Sequence, residues 1–257
     1  MANLIDLHND AITSLSHRHF LRYIKKAKRA GVKTILTSVW TTEMTNPMER
    51  IRHYRQILDN INASIKLLLH IEDAWFLNEQ NIHELLEYKP YSVGLTWNNE
   101  NALAGGANSD ADVTPLGEAV IKILADNNVH IDLAHLNRRS FYKVCDILKP
   151  YGKKLLCTHT CFDEVHPHPR NIDRAQVQTI VDSGGLVGLA LVGKFLSPKH
   201  PATIQDVRKH ISWFTENFGG ANLALGTDFC GTTDLPKGLK GYKSLRRVEI
   251  FWKSHEL

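Results

Sequence analysis

Short aliphatic and β-branched runs recur along this chain, each followed by a polar loop or by apolar residues at helical spacing. Eight such runs, at 4–10, 32–40, 65–73, 91–97, 129–135, 154–160, 186–192 and 222–228, predict strands. Amphipathic segments at 20–30, 48–63, 82–88, 116–127, 140–148, 174–182 and 204–218 predict the helices between them, and 244–254 predicts one more. Gly31 and the pair Gly184-Gly185 supply helix-stop chemistry just ahead of the next strand. Strict alternation implies parallel strands joined by right-handed crossovers. Eight such units in a chain of 257 residues predict an α/β fold of the (β/α)8, or TIM, barrel type. An open doubly wound sheet uses fewer strands and a phosphate-binding glycine turn, and neither Gly-x-Gly-x-x-Gly nor Gly-x-x-x-x-Gly-Lys-Ser/Thr occurs. With no linker and no longer repeat, 1–257 reads as one barrel domain.

The predicted strands end on residues that a core does not need. These ends are His8-Asn9-Asp10, His70-Ile71-Glu72-Asp73, Asp132-Leu133-Ala134-His135, Thr158-His159-Thr160 and Gly226-Thr227-Asp228. In such a barrel the C-terminal strand ends share one mouth, where active sites of the fold are built. Alternation puts His8 and Asp10 on one face with Asn9 turned away. Carboxylates gathered without compensation would repel and take up protons. A divalent cation, or two, removes that conflict, and mixed imidazole and carboxylate donors suit zinc.

Composition narrows the classes without naming a chemistry. At 43% hydrophobic and 23% charged the chain is of ordinary globular type. It has no apolar run near the roughly 18 residues of a membrane span. Asp6, His8, Asn9 and Asp10 sit where a secretory signal would be apolar. The net charge of +4 gives no reason to expect nucleic acid, and Lys25, Lys26, Lys28 and Arg29 read as one solvated helix face. Four cysteines without framework spacing suggest reduced thiols and a cytoplasmic setting.

These strand-end motifs, together with His168-Pro169-Arg170-Asn171 and Gly226-Thr227-Asp228-Phe229, resemble the membrane (renal) dipeptidase family, a binuclear-zinc branch of the amidohydrolase barrels. The resemblance runs in order along essentially the whole chain. It implies a metal-dependent dipeptidase in which His8 and Asp10 hold one zinc ion, His135 and His159 hold the other, and Glu72 bridges them. Arg170 would grip the substrate carboxylate and Asp228 would act as acid/base, while a hydroxide between the metals attacks the peptide bond. A D-residue at the C-terminal position is allowed by the resemblance, the partner is a small dipeptide, and a homodimer is compatible with it. Where mammalian members carry a substrate-contacting histidine, this chain has Trp97, as many bacterial relatives do, and Trp97 either lines the pocket or packs the rim. The loop 98–114, rich in glycine and asparagine, is placed to fold over the mouth. Relative to the family the C-terminus reads as short.

Rival readings are another amidohydrolase activity, on lactones or N-acyl amino acids, and a catalytically silent truncated paralogue. Other residues carry plainer expectations. Cys157 should be a small buried thiol one layer below His159, and Cys161 a loop thiol. His166 and His168 read as solvated loop histidines beside Arg170. Strand parity turns Asp73 away from Glu72, toward a ligand-supporting or helix-capping role, and Asp132 away from the side of His135, toward a structural or ligand-supporting one. His70 either lines the pocket or packs inside the barrel.

Overall fold

The computed structural model describes residues 4–248. Strands β1 Leu4–Asn9, β2 Val32–Trp40, β3 Lys66–Glu72, β4 Ser92–Gly94, β5 His130–Asp132, β6 Leu156–Thr160, β7 Leu186–Ala190 and β8 Leu223–Gly226 close in that order into a parallel barrel. Around it lie α1 Ala11–Ser14, α2 His17–Arg29, α3 Pro47–Asn60, α4 Ile82–Glu87, α5 Pro115–Asp126, α6 Arg138–Leu148, α7 Arg174–Asp182, α8 Gly193–Leu196 and α9 Ile204–Phe218. The one-turn helices α1 and α8 carry too few residues to show a period, so the pattern passes over them. Among the described residues no helix is long and apolar enough to cross a membrane.

Local chemistry starts the helices where they start. Thr114 accepts from the Gly117 amide ahead of Pro115 in α5, and Asn137 accepts from Ser140 N in α6. Asp173 and Gln176 bond reciprocally as a capping box on α7.

Two apolar layers result. Ile5, Leu7, Leu36, Leu156 and Ala224 come from four strands and meet inside the barrel. A larger shell packs helices against the outer face. Strand register shifts in three places, at Leu4/Ile5 and at two points that shape the barrel mouth. The β1–β2 register shifts between Asp6 and Asn9, and the β6–β7 register shifts between Cys157 and Thr160. An irregularity of this kind lets two consecutive residues face the same side. Leu7 and His8 therefore both point inward, as do Thr158 and His159. Gly188 and Gly226 make room for it, since a Cβ at either would overlap the carbonyl of Thr158.

Several expectations are corrected here. Cys157 is fully buried, but the irregularity in β6 places it in the outer shell rather than beneath His159. β4 and β5 are three residues each, because the chain leaves the ladder early to build the mouth. The expected helix at 244–254 is a 3-10 helix, Tyr242–Val248, as far as the described residues reach, and 249–254 lie outside them. Tyr242 ties that segment to the barrel by donating to Asp6 Oδ2 at 2.5 Å, within a buried network of Asn9, Tyr23 and Thr227.

Candidate metal centre

Each strand end delivers its side chain by a local backbone device. β3 carries Glu72 in register with Trp40 of β2. Beyond the ends of β3, β5 and β8, the residues Asp73, His135 and Asp228 adopt φ of +66°, +69° and +54°. Non-glycine residues pay for that conformation with strain, and such residues gather at functional sites. The turn at His135 also defeats parity. Asp132, expected to face away, lies inside the barrel with Oδ2 3.5 Å from His70 Nε2, and His135 reaches the cavity from beyond the strand.

The side chains meet at one end of the barrel. His8 Nε2 is 3.4 Å from Asp10 Oδ2 and 3.5 Å from Glu72 Oε2. Glu72 Oε1 is 3.0 Å from His135 Nε2 and 3.8 Å from His159 Nε2. The Nε2 atoms of His135 and His159 face each other at 2.9 Å. Arg170 Nη2 donates to His159 Nε2 at 3.0 Å, and its guanidinium stacks 5.4 Å from the Phe195 ring centre. Asp228 joins His8 and Asp10 in a group whose oxygen and nitrogen atoms all fall within 4.8 Å. Gly231 closes that corner, where a Cβ would overlap the carboxylates of Asp10 and Asp228.

Charge is distributed unevenly. Burial works to raise Glu72, but the charge of His8 and hydrogen bonds from His135 and His8 outweigh it and hold the carboxyl well below its usual range. Burial, and then the charge of Asp10, push Asp228 well above that range. Burial raises Asp10 as well. Burial works to lower His8, yet Glu72 and Asp10 lift it well above an ordinary imidazole. Burial, with help from Arg170, brings His135 down to about 4, and burial with the charge of His8 lowers His159 strongly.

The donor set fits divalent cations. Asp10 Oδ2 is buried without a hydrogen-bond partner, and two imidazole nitrogens converge on one carboxylate oxygen. A cation would satisfy both. His8 also belongs to a grouping with His70 and Asp132. That one is already spoken for, since Asp132 accepts from Thr158 Oγ1 at 2.6 Å, Thr158 N at 2.8 Å and Ala134 N at 3.0 Å.

The cavity above these groups measures about 590 Å³, with Trp97, Arg170 and Asp228 in its lining. Trp97 stands edge-on to Trp40 at 5.8 Å and is 36% exposed, so it lines the cavity rather than packing away. The 98–114 loop covers one side, pinned by Asn101, which donates to Asp73 Oδ1 at 3.0 Å and to Leu95 O at 2.8 Å. His168 Nδ1 accepts from the Arg170 amide at 3.1 Å and so braces the arginine loop. Cys161 is buried, and its thiol donates to Ala190 O at 3.4 Å. His70 packs inside the barrel with Nδ1 2.8 Å from Ser92 Oγ.

Sequence reasoning missed Asn98, whose Oδ1 lies 3.0 Å from His135 Nδ1, as well as Arg50 and Lys194 on the cavity wall. Nothing local marks them; only the position of Asn98 next to Trp97 was a clue.

The barrel and the donor groups gathered at its mouth define a (β/α)8 fold with a candidate metal centre. The chain belongs to the membrane dipeptidase family, peptidase family M19, whose model matches residues 26–250. Among its relatives, a protein of the pqqA 5′ region of Klebsiella pneumoniae is 29% identical over 169 residues, 61% of this chain and 61% of that protein. The chain spans 44–61% of the length of three curated relatives it matches. An amidohydrolase structure from Pseudomonas aeruginosa superposes with a TM-score of 0.81 at 16% identity, covering 96% of this chain and 87% of that one. A metallo peptidase from Rhodobacter sphaeroides, solved with a phosphinate mimic of the dipeptide L-Ala-D-Ala, does so at 0.78 and 16% identity, covering 96% and 91%.

Proposed function

We propose that this chain is a binuclear, zinc-dependent dipeptidase that cleaves the peptide bond of small dipeptides. The observation that carries the reading is the orientation of Glu72: Oε2 faces His8, 3.5 Å away, while Oε1 faces His135 at 3.0 Å and His159 at 3.8 Å. A carboxylate with one oxygen toward each of two donor groups is the arrangement a bridging ligand needs. His8 and Asp10 would hold one ion and His135 and His159 the other. Ions held by these residues would supply Lewis-acid polarisation of an amide carbonyl and acidify a nucleophilic water.

The chain's own groups supply the rest. Asp228, on the cavity wall beside His8 and Asp10, would move a proton at its carboxylate oxygen between an attacking water and the departing nitrogen. Arg170 presents a planar two-donor fork to the C-terminal carboxylate of the substrate, and its seat against Phe195 fixes the plane. Trp97 would flank the substrate side chain. The L-Ala-D-Ala mimic in the Rhodobacter sphaeroides neighbour supports acceptance of a D-residue at the C-terminal position.

The test combines elemental analysis of the purified, zinc-supplemented protein with a panel of L-Ala-L-Ala, L-Ala-D-Ala, N-acetylalanine and simple lactones. About two zinc equivalents with turnover confined to the dipeptides are expected. A protein that holds zinc but hydrolyses only the acylated amino acid or the lactones would replace this reading with another amidohydrolase activity.

A further inference from the structure

The geometry points to Thr158 as a positioning residue that, held by Asp132, presents the Nε2 lone pair of His159 to the cage. The inference rests on the metal reading above and concerns how the chain prepares a ligand before any ion arrives. Its hydrogen bonds have only one consistent direction. Arginine has donors and no acceptor, so at 3.0 Å from Arg170 Nη2 the Nε2 of His159 must be the acceptor. A neutral imidazole accepting at Nε2 carries its proton on Nδ1, and His159 Nδ1 lies 2.9 Å from Thr158 Oγ1. The hydroxyl therefore accepts there and spends its own proton on Asp132 Oδ2, 2.6 Å away.

Asp132 is immobilised in turn. Its Oδ1 accepts the amides of Thr158 at 2.8 Å and Ala134 at 3.0 Å. Both Thr158 and Asp132 are buried, at 0% and 1% exposure, so no water competes for these bonds. The parity break in β6 is what permits the arrangement, because adjacent residues of a regular strand could not both face the interior. His8 Nδ1 also faces the hydroxyl, at the longer distance of 3.4 Å. Outer partners of this kind fix ligand tautomers, and losing one typically weakens metal affinity by about 10–100-fold.

The experiment measures the His159 tautomer by ¹⁵N-resolved NMR in the metal-free protein, assigned against His159→Gln, and zinc affinity by chelator competition. Metal-free wild type should show Nδ1–H and a bare Nε2 at His159. Thr158→Val should lose that preference and bind zinc about 10–100-fold more weakly, and Thr158→Ser, which keeps the hydroxyl, should restore both. Wild type with its proton on Nε2, or Thr158→Val with wild-type zinc affinity, overturns the proposal while leaving the metal reading intact. Wild type that takes up no zinc overturns both. Should Thr158→Val fail to fold, the wild-type tautomer and the serine variant decide the matter.

Discussion

Glu72 divides the mouth into two unlike halves. On one side His8, Asp10 and Asp228 crowd two carboxyls that burial pushes upward around an imidazole held high by its acidic neighbours. On the other, His135 and His159 are pushed low by burial and stand beside the Arg170 guanidinium. The groups of the first half hold their protons more tightly than ordinary groups of their kind. The second holds its protons weakly, with His135 donating from Nε2 to Glu72 and His159 accepting at Nε2. The two proposed sites that share Glu72 should not bind alike, and the protein's own charges set the expected difference.

The largest expected effect comes from joining or severing the halves. Glu72→Gln should drop zinc content below one equivalent and turnover by at least about 10³-fold, since several kcal/mol of carbonyl and water activation go with the ions. Full zinc occupancy in this variant would mean that Glu72 is no bridge. Asp228→Asn should keep both ions yet lose roughly 10³-fold in kcat, a typical acid/base contribution. Zinc loss alongside activity would move Asp228 into the ligand set.

Proton competition sharpens the contrast directly. His8, held well above an ordinary imidazole, must give up its proton to ligate, so affinity in that half should rise with pH below its raised value, by up to about tenfold per unit. His135, at about 4, is neutral above about pH 5, so the other half should bind almost independently of pH. Zinc titrations at about pH 6 and about pH 8 should resolve one steep site and one flat one. Two equally steep sites would erase the distinction.

Smaller effects belong to the walls. Arg170→Lys keeps the charge but loses the fork, and should lower kcat/KM by about 10–30-fold, the worth of a charge-assisted hydrogen bond of roughly 2 kcal/mol. Steady-state kinetics with a free and an amidated dipeptide should show the loss only for the free carboxylate. Trp97→Ala should raise KM by about fivefold through roughly 1 kcal/mol of lost apolar contact, with zinc content unchanged.

Much of the fold was legible because it is written in periodicity. Eight aliphatic runs separated by helical patterns admit few architectures, and helix starts such as Thr114-Pro115 and Asp173 are local chemistry. The candidate donors were legible for a related reason: polar residues at strand ends such as His8-Asn9-Asp10 contradict a core. Reading failed where it trusted strict alternation. Asp132 and Cys157 were assigned to the wrong faces, because a positive φ at His135 and the irregularity in β6 break the period of two. Asn98 and the hydroxyl of Thr158 were not assigned roles, because their partners are 37 residues away in one case and arise from a backbone irregularity in the other.

The order of apolar and polar residues along the chain was enough to settle that parallel strands alternate with helices, and which charged groups stand at the strand ends, since both follow from local spacing and burial. Which oxygen of Glu72 faces which histidine, and which nitrogen of His159 keeps its proton, depended on the closed barrel. Those outcomes are set by distances between strands that touch only after the sheet has curled on itself, and short-range preferences carry no information about them.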